Sequence, residues 1–151
     1  MSMEQRFFKL LKYSNELKRN NKYLGREDPE AFRTLFKFLV TIEDNFHYLE
    51  KQEYLNLAKD FLGNKITADD FSYSFMAIYE GIREKLDQME REESLELANF
   101  LNKTDRSELN ELLTDIYGAC NRFSPDPDFT LSDEKELKDY AQILLLKLQE
   151  E

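Results

Sequence analysis

The sequence has little of what catalytic and metal-binding proteins commonly use. Its 151 residues include one cysteine, one histidine and no tryptophan, with only three prolines and four glycines. A single cysteine, Cys120, excludes an internal disulfide, and a single histidine, His47, excludes the paired Glu-x-x-His motifs of di-metal bundles. The sequence also lacks a Gly-rich phosphate loop, an HExxH motif and a CxxC pair. These absences favour a protein that binds over one that catalyses, with no metal or other cofactor.

Long apolar runs are absent as well. No run approaches the roughly 20 residues that a helix needs to span a bilayer. Glu4, Arg6 and Lys9 interrupt the first eleven residues, which therefore do not resemble the apolar core of a signal peptide. We expect a reduced, cytoplasmic protein with no membrane partner.

Charge is abundant and mostly negative. The net charge is −10, so phosphates would be repelled and direct binding of nucleic acid is not expected. Residues 1–26 carry seven basic and two acidic side chains, a net +5, which leaves −15 for the remaining residues. A basic protein is therefore the expected partner of the body of the chain.

Apolar residues recur at helical spacing almost throughout, which predicts an all-α protein. The helices are expected at 3–23, from Pro29 onward, from Tyr54 to Leu62, from Thr67 to about Glu93, from Asp105 or Ser107 to about Cys120, and from Ser132 to the end. Ser94 to Lys103 allows either a short helical turn or a packed loop.

Capping residues support several of these boundaries. Asp28 followed by Pro29 is typical of a helix start, and Thr67 with Asp70 three residues later is close to a capping box. Gly25 is predicted to end the first helix, and Gly63 with Asn64 the helix before Thr67. On α-helical spacing, Phe36 and Leu49 are expected to face the core.

The two residues most often used in catalysis are interpreted as non-catalytic. His47 lies beside an apolar stripe and is expected to be a partly exposed surface residue, because zinc needs three or four clustered ligands. Cys120 lies on the apolar side of its predicted helix, which indicates a structural thiol. No catalytic residue is predicted.

The most informative stretch is Ile116 to Phe129, IYGACNRFSPDPDF, which changes from an apolar helix into an acidic loop. Pro125 and Pro127 stop the helix and fix two φ angles near −65°. Asp126 and Asp128 are thus held on a stiff segment, which lowers the entropy cost of binding a cationic partner. An ordinary acidic connection remains the alternative interpretation.

Two segments resemble the self-protective colicin-like immunity family, the relatives of the colicin D immunity protein. The first is LAKDFLGNKITADDFS, Leu57 to Ser72, with its K-I-T-A and acidic-Phe-Ser elements. The second is CNRFSPDPD, Cys120 to Asp128, with an R-F-x-P-D-x-D pattern. The segments occur in the family's order, and a C-terminal helix follows them.

The resemblance implies an antiparallel four-helix bundle over about Tyr54 to Glu150, preceded by one or two additional N-terminal helices. Residues 1–151 would form a single helical domain, with 1–50 as an extension of the bundle at 54–150. It also implies that the protein inhibits a toxin nuclease that cleaves tRNA, using an acidic surface in place of the tRNA phosphates.

Site residues follow from the acidic loop and from the family pattern. Partner-binding residues are expected to be Asp126, Asp128, Asn121, Asp133 and Glu134, and residues that frame the turn are Arg122, Phe123, Pro125 and Pro127. Asn121 departs from the family, which has an acidic residue there. The alternative is a helical interaction or regulatory module with an immunity-like fold and a different host partner.

Overall fold

The fold is described from a computed structural model, which places residues 1–101, 105–128 and 130–150. These residues form seven α-helices and one 3₁₀-helix and contain no β-strand, so the expected all-α class is confirmed for them. The α-helices are α1 Met3–Arg19, α2 Leu24–Glu27, α3 Pro29–Leu49, α4 Lys51–Leu62, α5 Ala68–Arg91, α6 Ser107–Arg122 and α7 Glu134–Glu150, and the 3₁₀-helix is Leu95–Phe100.

The chain divides into two compact units. Unit 1 contains Met1–Phe46 and Arg83–Asp105, and unit 2 contains His47–Ile82 and Arg106–Glu151. The divisions fall inside α3 and α5, so each of these helices contributes to both units. Unit 1 is discontinuous in sequence, because Arg83–Asp105 packs with Met1–Phe46. The division of the chain at about residue 50 stays a prediction.

Unit 1 is built around aromatic residues of α1 and α3. Phe7 is fully buried and packs edge-to-face on Phe38, with ring centroids 5.7 Å apart. The 3₁₀-helix is joined to α3 by the Phe46 and Phe100 rings at 5.3 Å. The other buried apolar residues of unit 1 are Leu11, Leu24, Leu35, Ile42, Leu86, Met89, Leu97 and Leu101.

An ion-pair network adds to unit 1. The Arg83 guanidinium contacts the carboxylates of Glu43 and Glu90 at 3.2 Å and that of Asp87 at 2.8 Å. Burial raises the pKa of Glu90, and Arg83 opposes this shift. The side-chain amide of Asn15 donates to the carbonyl of Glu90 at 2.9 Å, which ties α1 to the end of α5.

Unit 2 contains α4, the first part of α5, α6 and α7, with α7 packed against α4 and α6. Its core includes a stacked pair of rings, Phe61 on α4 and Phe71 on α5, with centroids 4.5 Å apart. Lys138 on α7 lies 4.1 Å from the centre of the Phe61 ring and donates to the Phe61 carbonyl, and its ammonium also donates to Asn64 Oδ1 at 2.8 Å. The remaining buried apolar residues of unit 2 are Tyr54, Ala58, Ala68, Phe75, Ile82, Leu109, Leu113, Ile116, Ala119, Cys120, Leu137, Ala141, Leu144 and Leu148.

Several predicted helix boundaries are confirmed by their hydrogen bonds. Asp28 Oδ1 accepts the N–H of Ala31 at 3.1 Å, as an N-cap should. Thr67 and Asp70 form the reciprocal capping box at 3.2 and 3.1 Å. Asn64 ends α4 with a φ of 57°, the left-handed conformation expected at this position.

The predicted end of the first helix was wrong. Gly25 lies inside α2, and α1 ends earlier, where Asn21 takes a φ of 57°. The N–H of Lys22 then donates to the carbonyl of Leu17 at 2.8 Å, which completes a Schellman ending. A non-glycine residue thus ends α1 four residues before the glycine.

Three predictions about the burial of side chains are also wrong. His47 was expected to be partly exposed, but its side chain is fully buried. Its Nδ1 lies 3.0 Å from the hydroxyl of Tyr54, which gives this ring nitrogen a hydrogen-bond partner inside unit 2. Phe36 and Leu49 were expected to face the core, but both are exposed.

Phe129, at the end of the proline-containing stretch, and residues 102–103, at the end of the ambiguous segment, lie outside the described residues. Within that ambiguous segment, Leu95–Phe100 forms the 3₁₀-helix, which was one of the two expected possibilities.

Candidate functional site

The candidate site is the connection between α6 and α7, residues 123–133, which we call the acidic turn. It begins after Arg122, the last residue of α6, where Phe123 adopts an extended conformation. Pro125 cannot donate a backbone hydrogen bond and disfavours a helical Ser124, so the helix cannot continue. The sequence therefore forces the chain out of α6 at the expected place.

The base of the acidic turn is closed by backbone pairing. The N–H of Leu131 donates to the carbonyl of Arg122 at 2.8 Å, and Phe123 forms an isolated parallel bridge with Ser132. In a continuing helix the N–H of Phe123 would donate to the carbonyl of Ala119, four residues earlier. Here it donates to the Cys120 carbonyl at 3.2 Å, so the Ala119 carbonyl lacks its helical donor. These contacts bring the two ends of the turn together.

Two hydroxyl groups complete the closure. Ser132, which is buried, donates its hydroxyl to the Ala119 carbonyl at 2.6 Å and so supplies the missing donor. Thr130 Oγ1 accepts the N–H of Ser124 at 3.0 Å and donates to the Ser132 carbonyl. The side chains of Ser132 and Thr130 thus hold the turn against the end of α6.

The tip of the turn carries the two predicted carboxylates. The N–H of Asp126 donates to Ser124 Oγ at 3.2 Å, and the N–H of Asp128 donates to Asp126 Oδ1 at 3.0 Å. Both aspartates are exposed, and neither has an ion-pair partner among residues 1–101, 105–128 and 130–150. The turn therefore presents negative charge that the described protein does not neutralise.

Asp133 and Glu134 bring further carboxylates to the start of α7. Both are exposed, but Asp133 Oδ1 accepts the N–H of Glu136 at 2.8 Å and so caps α7. Asp133 therefore has a structural role that its predicted partner-binding role did not include. Asn121 is exposed at the last turn of α6.

The framing residues differ in their surroundings. Arg122 extends from the end of α6 to Glu136 on α7, where the guanidinium and carboxylate lie 3.5 Å apart. Phe123 is half-buried, whereas Pro125 and Pro127 are exposed with the aspartates. Arg122 thus joins the two helices that flank the turn.

Leu131 was not predicted as a site residue, yet 80% of its surface is exposed. It lies between the acidic tip and the acidic start of α7, in the strand-like segment that closes the turn. An apolar residue in a polar loop, outside any helical repeat, was the sequence signal that could have identified it. An exposed leucine that lies between acidic segments of the chain suits a protein interface with an apolar centre.

The structure gives no support for a reactive Cys120. The thiol is buried in unit 2, and burial raises its pKa to about 12, although the neighbouring hydroxyl of Ser72 opposes the shift. A thiolate is therefore rare at neutral pH. In the part of the chain that the structure describes, no three His, Cys, Asp or Glu side chains cluster as metal ligands.

Comparisons with known proteins give no match: no family model fits the chain, and no curated protein or solved structure is detectably similar to it. None of the described helices combines the length and the apolar character needed to cross a membrane.

Proposed function

We propose that this protein is an immunity-type inhibitor that binds the basic nuclease domain of a toxin through its acidic turn. The observation that carries the proposal is the pair Asp126 and Asp128, exposed and without ion pairs among the described residues, on a turn whose shape is fixed by hydrogen bonds. The protein acts in the cytoplasm, covers the nuclease and carries out no reaction itself.

Charge supports a protein partner of this kind. The chain has a net charge of −10, and residues beyond the basic N-terminal segment account for −15. A nuclease that binds tRNA presents cations for the phosphates, and a fixed acidic surface can occupy the same cations. Such charge complementarity accelerates association and makes the affinity fall as salt rises.

The order of the turn supports a tight complex. Free loops lose conformational entropy when they bind, whereas a turn closed by Ser132, Thr130 and the Leu131–Arg122 hydrogen bond is already ordered. In the proposed complex Leu131 packs on an apolar patch of the nuclease, while the aspartates and Glu134 contact surrounding cations. In this proposal α4, the first part of α5, α6 and α7 form the immunity-like four-helix bundle.

The test is direct inhibition of a nuclease domain. The candidates are the tRNA-cleaving domain of a colicin D-type toxin and any toxin nuclease encoded beside this gene in its source genome. We expect the purified chain to co-elute with the cognate domain, to prevent tRNA cleavage at equimolar concentration, and to protect cells that express it. Affinity should fall about tenfold or more between roughly 0.05 and 0.3 M salt.

The alternative is an interaction module with a similar fold and a different host partner. It is favoured by the N-terminal helices of unit 1, because the resemblance to the immunity family begins only at about Tyr54. Capture from the source cell at low and high salt distinguishes the two functions. Capture of a nuclease that is lost at high salt supports the inhibitor. Capture of a housekeeping protein supports the interaction module, provided that the chain protects against neither the colicin D-type domain nor a nuclease encoded beside the gene.

A further inference from the structure

A half-open groove of about 530 Å³ lies in unit 1, between α1 and the start of α3. Leu10 and Tyr13 of α1 and Ala31 of α3 give it an apolar lining. Arg6, Lys9 and Asp28 contribute its charged groups. The volume lies within the range of about 300–1,000 Å³ that is typical of small-molecule sites.

The groove follows from the amphipathic character of α1. Phe7 and Leu11 are buried on one side of the helix. Arg6 precedes Lys9 and Leu10 by three and four residues, and these precede Tyr13 by four and three. The four residues therefore share another face of the helix. Because Ala31 has only a methyl group, the start of α3 does not fill the space beside them.

The charges of the groove favour an anion. Arg6 and Lys9 are exposed, and neither has an ion pair within the described ranges. Asp28 is the opposing charge, but its Oδ1 accepts the N–H of Ala31 at 3.1 Å and caps α3. Two cations and one carboxylate leave the groove with a net positive charge. Both cations belong to residues 1–26, which carry net +5 on an otherwise acidic protein.

We propose that this groove is a binding site for a small amphipathic carboxylate, independent of the acidic turn. The apolar chain of the ligand packs on Leu10, Tyr13 and Ala31, and its carboxylate binds Arg6 and Lys9. Arginine suits this head group because its guanidinium can form two parallel hydrogen bonds with a carboxylate. Burial of the chain supplies affinity, and the two cations select the charge.

The probes are hexanoate, octanoate and decanoate, each titrated below its micelle concentration into the ¹⁵N-labelled full-length chain. We expect amide shifts at residues 1–13 and 28–35, and an affinity that rises two- to fourfold for each added methylene, as burial of apolar surface predicts. Decanol, which has no charge, should bind at least tenfold more weakly than decanoate. Affinity that is independent of chain length, or shifts spread over the acidic residues, would overturn the proposal.

Matched variants separate the site from general charge. The Arg6→Gln/Lys9→Gln pair should lose at least tenfold in decanoate affinity, whereas Lys12→Gln/Arg19→Gln removes the same charge from α1 outside the groove and should change it less than twofold. Ala31→Leu adds volume at a helical position and should block decanoate without unfolding the protein, which the amide spectrum verifies. Equal losses in the two glutamine pairs, or unchanged binding in Ala31→Leu, would also contradict the site.

Discussion

Replacing Ser132 with alanine removes the buried hydroxyl that holds the acidic turn against α6. In the structure this hydroxyl donates to the Ala119 carbonyl at 2.6 Å. The nearest backbone donor, the N–H of Phe123, is already bonded to Cys120. The variant therefore leaves a carbonyl in the last turn of α6 without its donor.

The cost follows from burial of the group. Ser132 is only 4% exposed, so water does not readily replace the lost hydroxyl. An unsatisfied buried polar group costs about 1–3 kcal/mol. With a urea slope of about 2 kcal/mol per molar, typical of small proteins, the unfolding midpoint should fall by roughly 1 M.

Urea unfolding followed by circular dichroism measures this change, and amide hydrogen exchange locates it. We expect the amides of Ser124 and Leu131, which donate within the turn, to exchange faster in the Ser132→Ala variant than in wild type. Ser74→Ala is the control, because the Ser74 hydroxyl has no hydrogen bond within the described residues, and it should change stability by less than about 0.5 kcal/mol.

A Ser132→Ala protein with unchanged stability and unchanged exchange at Ser124 and Leu131 would refute this reasoning. It would mean that the prolines, the backbone pairing and the Thr130 hydroxyl hold the turn without the Ser132 hydroxyl. The fixed shape of the turn would then not depend on its attachment to α6.

Three further predictions concern the body of the protein. Lys138→Met removes the ammonium that donates hydrogen bonds at the end of α4 and lies over the Phe61 ring. Urea unfolding should show that the free energy of unfolding falls by about 1–2 kcal/mol. A fall of less than about 0.5 kcal/mol would contradict a role of Lys138 in stabilising the end of α4. Because burial raises the pKa of Glu90, the folded state holds this proton more tightly, and wild type should gain unfolding free energy relative to Glu90→Gln as pH falls from about 7 to about 4. A pH-independent difference would argue against that shift. Burial raises the pKa of Cys120 to about 12. The thiol should therefore react with a thiol reagent at pH 8 about a thousand times more slowly in the folded protein than in urea. Comparable rates in the two conditions would contradict its burial.

The sequence predicted the features that depend on neighbouring residues. The Asp28 cap and the Thr67–Asp70 capping box involve partners three residues apart, so the local order of side chains determines them. The acidic turn was located for the same reason, since Pro125 and Pro127 act on their own backbone.

Features that depend on distant contacts were not predictable in this way. His47 is fully buried, with the hydroxyl of Tyr54 on the next helix 3.0 Å from its Nδ1. Arg83–Asp105 packs with the N-terminal helices because of long-range contacts that helical periodicity does not encode. The prediction that Gly25 ends α1 was wrong because Asn21, four residues earlier, takes the left-handed conformation. Glycine and asparagine can both adopt it, and the sequence does not show which of the two ends the helix.

The sequence indicated only part of the local structure of the acidic turn. Asp126 and Asp128 are exposed as expected, and their role in binding stays a prediction. The capping role of Asp133, the anchoring by Ser132 and the exposure of Leu131 all depend on how the turn folds back on α6, which no local pattern specified.

The central claim is that the charge of the acidic turn binds the partner. The most direct measurement compares the affinity of wild type and of Asp126→Asn/Asp128→Asn for the inhibited nuclease domain. Asparagine at position 126 retains the oxygen that accepts the N–H of Asp128, so the variant removes charge and keeps the shape of the turn. Glu4→Gln/Glu16→Gln, on exposed positions of α1, makes the same change in net charge elsewhere.

We expect the asparagine pair to weaken the complex by more than about tenfold, with wild-type stability, and the glutamine pair to change it less than about twofold. Wild-type affinity in the asparagine pair would contradict the claim.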